Sequence, residues 1–220
     1  METPLKPMET PTPTFMVMDD FYQNPLEVRE WVVKQNFAMS YIGCHRTQSY
    51  ASSELKEHIQ KFIEPFAGKI TKWSDAENYF NANGCFQYSM VTDDDWIHAD
   101  DTVTDWAGVL YLTPNAPLDT GTTLYKFKDG TRFALESSNS AEYDAEGRNP
   151  DAWSQIDQIG NVFNRLVLFN AQHWHGGAGY FGDSLENSRL FQLFFFSTCL
   201  LYTSDAADEG LGVDLGGRRI

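Results

Sequence analysis

Residues 165–175 read RLVLFNAQHWH, an apolar run followed by two histidines that flank one tryptophan. A short apolar run bounded by polar residues reads as a buried strand. Arg165 to Phe169 is therefore expected to be a strand, with His173 and His175 beyond its end. The same reading expects strands over 78–91, 96–98, 106–112 and 122–127 upstream, and over 189–197 downstream. Before them, Phe15 to Phe21 reads as a short strand. Asn24 caps a helix that starts at Pro25 and carries Glu27 and Glu30 in its early turns. A second helix is expected from about Ser52 to Glu64, with Leu55, Ile59, Phe62 and Ile63 on one stripe, a serine cap and Pro65 as its stop. Ser137 to Pro150 reads as a long loop or insert, and Asp151 to Ile159 as one or two helical turns. Helices followed by many strands imply a mainly β fold with N-terminal helices, an antiparallel sandwich or barrel.

The chain has 220 residues, which suits one domain, and its 42% hydrophobic and 15% aromatic content can build a core that a disordered chain lacks. The longest apolar run, Leu190 to Leu201, is too short to span a membrane and contains Gln192 and Ser197. No basic-then-apolar signal pattern opens the chain. A net charge of -15 repels phosphate backbones, so neither nucleic acid nor membrane is expected as a partner, and solubility in the cytoplasm is the simplest reading. Cys44, Cys85 and Cys199 have neither metal-type spacing nor the look of a disulfide framework. Residues 1–14, rich in Pro and Thr, are expected to be a flexible arm. Residues 199–220 (CLLYTSDAADEGLGVDLGGRRI) lose the aromatics and resemble a translated sequencing adapter of the kind found at the ends of metagenomic gene sequences. They are expected to be a non-native tail. The expected domain is 15–198, with helical support over about 24–66 and a strand core over about 78–198.

Three of the five histidines lie in the strand-rich half. In His98-Ala-Asp100, residues i and i+2 of a strand share a face, so one imidazole and one carboxylate can reach a single ion. Either His173 or His175 would complete two histidines and a carboxylate. That facial triad leaves coordination positions open and suits non-haem Fe(II).

Taken in order, His98-Ala-Asp100, Trp106-Ala-Gly-Val-Leu-Tyr111-Leu, Gly121-Thr-Thr-Leu-Tyr125, Asn164-Arg-Leu-Val-Leu-Phe169, His175 and Arg189-Leu-Phe-Gln-Leu-Phe resemble the 2-oxoglutarate/Fe(II)-dependent oxygenases. The nearest likeness is to the prolyl-hydroxylase-like, microbial and phage branch, over roughly 78–197. The resemblance implies a double-stranded β-helix, or jelly roll. It implies Fe(II) held by His98, Asp100 and His175, with His173 the rival distal ligand. It implies Arg189 on the far carboxylate of 2-oxoglutarate, with Tyr111 beside it. A guanidinium suits that role because its planar fork grips a carboxylate, and a buried arginine needs an anion. The implied activity is hydroxylation of a peptidyl side chain, amino acid or small metabolite by O2, with oxidative decarboxylation of 2-oxoglutarate to succinate and CO2. Two positions depart from the pattern: Thr120 stands where a glycine is usual, and Thr113 where an asparagine is usual. Asp100 separates the chain from related halogenating enzymes, which lack the carboxylate ligand.

Other motifs carry less. Asp93-Asp94-Asp95 lacks the spacing of a calcium loop and reads as a solvated turn. Trp153, Trp174 and Tyr180 suit either a pocket mouth or the core. No P-loop or dinucleotide fingerprint is present. Two other readings are a non-catalytic jelly-roll binding module and a cupin-type metalloenzyme that does without 2-oxoglutarate; the latter has no need of Arg189.

Overall fold

The computed structural model describes residues 13–40, 44–100, 104–134 and 140–199. Most of the expected arm, and the expected tail beyond Cys199, lie outside the described residues. In chain order the elements are β1 (Phe15–Met18), α1 (Pro25–Val32), β2 (Ala38–Met39), β3 (His45–Ser49), α2 (Ser53–Ala67), β4 (Lys69–Trp73) and β5 (Cys85–Ser89). There follow β6 (Trp106–Tyr111), β7 (Thr122–Phe127), α3 (Ser140–Glu146), a 3-10 turn (Pro150–Ala152), β8 (Trp153–Ile159), β9 (Leu166–Asn170), β10 (His175–Gly177) and β11 (Arg189–Cys199).

The large sheet runs β1-β9-β6-β11-β5-β3-β2, and β4 pairs with the far half of β11. A small sheet runs β10-β7-β8. The placement of β11 explains why the run Leu190 to Phe196 is apolar on both alternating sets apart from Gln192. Arg189, Phe191 and Leu193 face inward, toward Val109, Tyr111, Val167, Phe169 and, from the small sheet, Leu124. Leu190, Phe194 and Phe196 face outward, against Val32 of α1 and Ile59, Ile63 and Ala67 of α2. Both faces of the strand are covered, so both alternating sets are apolar. Gln192 is the polar exception on the outer face, and it is satisfied: its Oε1 accepts from Tyr22 Oη at 2.6 Å and its Nε2 donates to Gly84 O at 3.0 Å.

The helices and several strands differ from the sequence reading. Ser52 caps α2, its Oγ accepting from Leu55 N at 3.2 Å, but Asn24 makes no side-chain cap bond. Pro65 does not end α2. The helix runs on to Ala67 and stops at Gly68 with φ 80°. A proline that near the C-terminus removes only one N–H from the last turn, and the left-handed glycine is the stronger stop. The strand expected over 78–91 shortens to β5, because Asn78, Asn81 and Asn83 turn their side chains onto local backbone instead. The span 153–159 is a strand, not helical turns, since it pairs along β7. The expected loop at 137–150 holds α3. Among the described residues no helix is long and apolar enough to cross a membrane.

Asn164 ties the N-terminal segment to the barrel. It sits at φ 65°, its Oδ1 accepts from Tyr22 N at 2.9 Å, and its Nδ2 donates to Tyr22 O at 2.8 Å. Asn164→Ala removes both bonds and strains the left-handed backbone, a loss of about 2–4 kcal/mol in urea unfolding. Asn164→Gly loses the bonds but not the backbone fit, and should be less damaging by about 1 kcal/mol. Equal losses for the two variants would show that the backbone conformation contributes nothing.

Candidate functional site

The site begins with main-chain pairing. His98 N donates to His175 O at 2.9 Å, and His175 N donates to His98 O at 2.8 Å. Asp100 N then donates to Ala171 O at 2.9 Å. The strand expected at 96–98 is therefore a single antiparallel bridge, and it suffices to set His98 and Asp100 against the first residue of β10.

The side chains converge from there. Nδ1 of His98 meets Trp96 O at 3.0 Å, and Nδ1 of His175 meets His173 O at 2.8 Å. A carbonyl only accepts, so both Nδ1 atoms carry the proton and both Nε2 atoms present a lone pair. Those two atoms face one carboxylate: His98 Nε2 is 3.8 Å from Asp100 Oδ1, and His175 Nε2 is 3.4 Å from Asp100 Oδ2. The three ligand atoms lie within 4.8 Å of one another. Donors about 2.1 Å from one octahedral ion stand about 3 Å apart in neighbouring positions, so the cluster needs only a small contraction to grip one. Burial pushes the His175 imidazole down to about 4, with the Asp100 charge pulling the other way. It is thus neutral near pH 7, as a metal ligand must be. These residues fit a divalent ion. His173 is also buried, but its ring packs edge-on to Phe133 at 4.7 Å and its Nδ1 meets Trp174 O at 3.1 Å. It does not belong to the converging group.

The cluster opens into a small pocket of about 90 Å³ between the two sheets, which Arg189 also lines. Arg189 is 4% exposed. Its Nε donates to Thr120 O at 2.9 Å and its Nη2 to Gly121 O at 3.1 Å. The guanidinium lies 4.5 Å from the Phe191 ring centroid and 5.5 Å from that of Tyr111. Carbonyls and aromatic faces thus supply part of the stabilisation expected of an anion alone. Of the five N–H donors of a guanidinium, three remain for a ligand. Tyr111 Oη and Thr122 Oγ1 share a hydrogen bond of 2.6 Å. Burial raises the Tyr111 pKa, which keeps its hydroxyl protonated and able to donate.

The two departures from the family pattern have structural roles. Thr113 Oγ1 donates to Ser188 O at 2.7 Å and accepts from Leu190 N at 2.9 Å, clamping the residues on either side of Arg189. Thr120 Oγ1 donates to Pro117 O at 2.7 Å and accepts from Asn161 Nδ2 at 3.2 Å, which holds the loop whose carbonyls bind Arg189. A Cβ at Gly121 would overlap Ile159 O, so glycine is required there.

Sequence reasoning assigned no role to Thr122, Arg46 or Gln87, all of which line the pocket. Thr122 stood inside a quoted motif. Arg46 lies in β3, whose sequence HRTQS has no apolar residue to mark it as a strand. Tyr180 lines the pocket, whereas Trp153 and Trp174 pack with Phe127 and Tyr143 in a separate cluster. Asp95 is exposed, as expected of the acidic turn, but its carboxylate accepts from Gly177 N at 3.3 Å beside β10.

No protein-family model and no curated sequence matches the chain. Solved structures do resemble it. HygX from Streptomyces hygroscopicus, with nickel, 2-oxoglutarate and hygromycin B bound, aligns with TM-score 0.54 at 11% identity, over 86% of this chain and 84% of that one. That likeness shows a shared fold, the double-stranded β-helix. A Trichoplax adhaerens prolyl hydroxylase in complex with a hypoxia-inducible-factor peptide gives TM-score 0.48 at 13% identity, over 83% of each chain. A Pseudomonas putida prolyl-4-hydroxylase gives 0.42 at 14%, over 83% of this chain and 92% of that one.

The geometry predicts one divalent-ion site. Titrating metal-free protein with Co(II) should develop visible d–d bands at a single equivalent. Asp100→Ala and His175→Gln should each weaken binding more than the 10–100-fold typical of removing a supporting residue, whereas His173→Gln should fall within or below that range. Equal losses for the two histidine variants would contradict the distinction between them.

Proposed function

We propose that the protein is an Fe(II)- and 2-oxoglutarate-dependent dioxygenase that hydroxylates a small-molecule or peptidyl substrate, with residues 15–198 as its oxygenase domain. The observation that carries this reading is the meeting, in one pocket, of three neutral or anionic metal donors with a buried guanidinium. A metal site alone serves many reactions. A second fixed cation lining the same pocket suits a ligand with two acidic ends, one on the metal and one on Arg189. The fold shared with HygX, whose structure holds nickel and 2-oxoglutarate, supports the same choice.

His98, Asp100 and His175 would hold Fe(II), and Arg189, with Tyr111 and Thr122, would receive the far carboxylate of 2-oxoglutarate. When bound, iron and 2-oxoglutarate together supply the activation of O2, which yields succinate, CO2 and one oxygen atom for a substrate C–H. The chain's part is positioning and charge. Trp96 O and His173 O fix the imidazole tautomers. Thr120 O and Gly121 O fix the plane of the Arg189 guanidinium before any ligand arrives, so little side-chain entropy remains to be lost on binding. The inward aromatic and aliphatic side chains Phe169, Phe191 and Leu193 keep water from the reacting centre.

The test is a visible spectrum under argon. Fe(II) and 2-oxoglutarate added together should give a weak charge-transfer band that neither gives alone, and air should then produce succinate. Asp100→Ala should abolish succinate with the fold intact. Arg189→Gln should raise the 2-oxoglutarate concentration needed by at least about 30-fold, the scale of losing one partner of a buried charged pair. A folded protein with no band would refute the assignment.

A further inference from the structure

A second arginine faces the same pocket. Arg46, on β3, is half-buried and lines the cavity with His98, Asp100 and Arg189. Its Nε donates to Gln87 Oε1 at 2.5 Å. Its two Nη groups have no acceptor among the described residues, and it forms no ion pair there. Asp93 is close enough for its charge to act on Cys44, as that of Arg46 does, but its carboxylate is turned onto Met90 N at 2.9 Å.

Strand register separates this arginine from the first. Arg46 pairs with Gln87, Gln87 with Phe191, and Phe191 with Tyr111, so one row crosses the inner face of the sheet. Two strand spacings put the backbone of Arg46 roughly 10 Å from that of β11. The two arginines therefore enter the pocket from different strands. Gln87 takes the Nε edge of Arg46 and leaves the Nη pair to meet a ligand end-on. The carboxylate of Asp95 is near enough to act on Arg189, and Asp100 stands with the metal donors. Arg46 is the lining arginine with no ion pair among the described residues.

We propose that Arg46, oriented by Gln87, binds the carboxylate of the substrate to be oxidised, and that this substrate is a small molecule bearing a single negative charge. The inference rests on the oxygenase reading of the pocket. It deepens that reading by naming a substrate class and a specificity-determining residue. An end-on fork fixes the carboxylate in one plane, which holds the rest of the molecule in one direction relative to the metal.

The test uses Zn(II) in place of iron, so that binding is read without turnover. Protein loaded with Zn(II) and 2-oxoglutarate is screened by saturation-transfer NMR against N-acetyl-L-amino acids, each paired with its neutral carboxamide. At least one acid should bind about tenfold more tightly than its amide, the low end of what a buried charged hydrogen bond contributes. Arg46→Gln should erase that preference, and Arg46→Lys, which keeps the charge but not the fork, should retain part of it. Acids bound no better than amides, or a preference that survives Arg46→Gln in a folded variant, overturns the proposal while 2-oxoglutarate still binds. A loss of 2-oxoglutarate affinity in Arg46→Gln equal to that in Arg189→Gln also overturns it, because the anion held at Arg46 is then the cosubstrate. Failure of the wild-type protein to bind 2-oxoglutarate at all removes the oxygenase reading and this inference together.

Discussion

His98 and His175 exchange backbone hydrogen bonds in both directions, and the geometry of the pocket follows from that exchange. The two residues come from segments far apart in sequence, and each side chain projects only as its main chain allows. Once the carbonyls and amides are paired, both imidazoles stand on the same side of the bridge. The carbonyls of Trp96 and His173 then select the tautomer. Asp100, two residues beyond His98, is brought to the same point by its own bond to Ala171. Three donors are thus positioned largely by main-chain bonds, which tolerate wide change in the surrounding side chains.

Arg189 is held by the opposite strategy, in which a side chain is satisfied by main chain from another sheet. It opens the central strand β11, and the carbonyls it binds belong to the loop that leads into β7. That loop can come so close because Gly121 has no Cβ to strike Ile159 O, and Thr120 and Asn161 brace it. A change at any of these would act on the Arg189 end of the pocket without touching His98, Asp100 or His175. The His98-Asp100-His175 cluster and Arg189 therefore have separate supports in the fold, one in the β10 bridge and one in the loop before β7.

What could be read from the sequence follows from how locally each feature is encoded. The strands β6, β7, β9 and β11 announce themselves because burial on one or both faces demands apolar residues, and His98 and His175 stand out beside them as two of five histidines, with Asp100 two residues from the first. The strands β3 and β8 do not, since HRTQS and WSQIDQI expose polar side chains to solvent or to the pocket. Their pairing is a tertiary event with no local signature. The same blindness hid Arg46: a polar residue on a polar strand looks like a loop until its neighbours across the sheet are known. The stop at Pro65 failed for a related reason, because the glycine three residues later offered the better termination.

The electrostatics of the pocket run against those of the chain. A net charge of -15 surrounds an interior where two guanidinium groups face one carboxylate. Surface charges are screened beyond about 8 Å at physiological salt, so a ligand inside the cavity responds to its lining more than to the exterior. Within it, the like charges of Arg46 and Arg189 share one lining, where a lower effective dielectric strengthens their repulsion. Adding a divalent ion increases that repulsion. Replacing Arg46 by a neutral residue would relieve part of that repulsion. Under the proposed function ligands supply the missing anions, a dianion between the metal and Arg189 and a monoanion at Arg46.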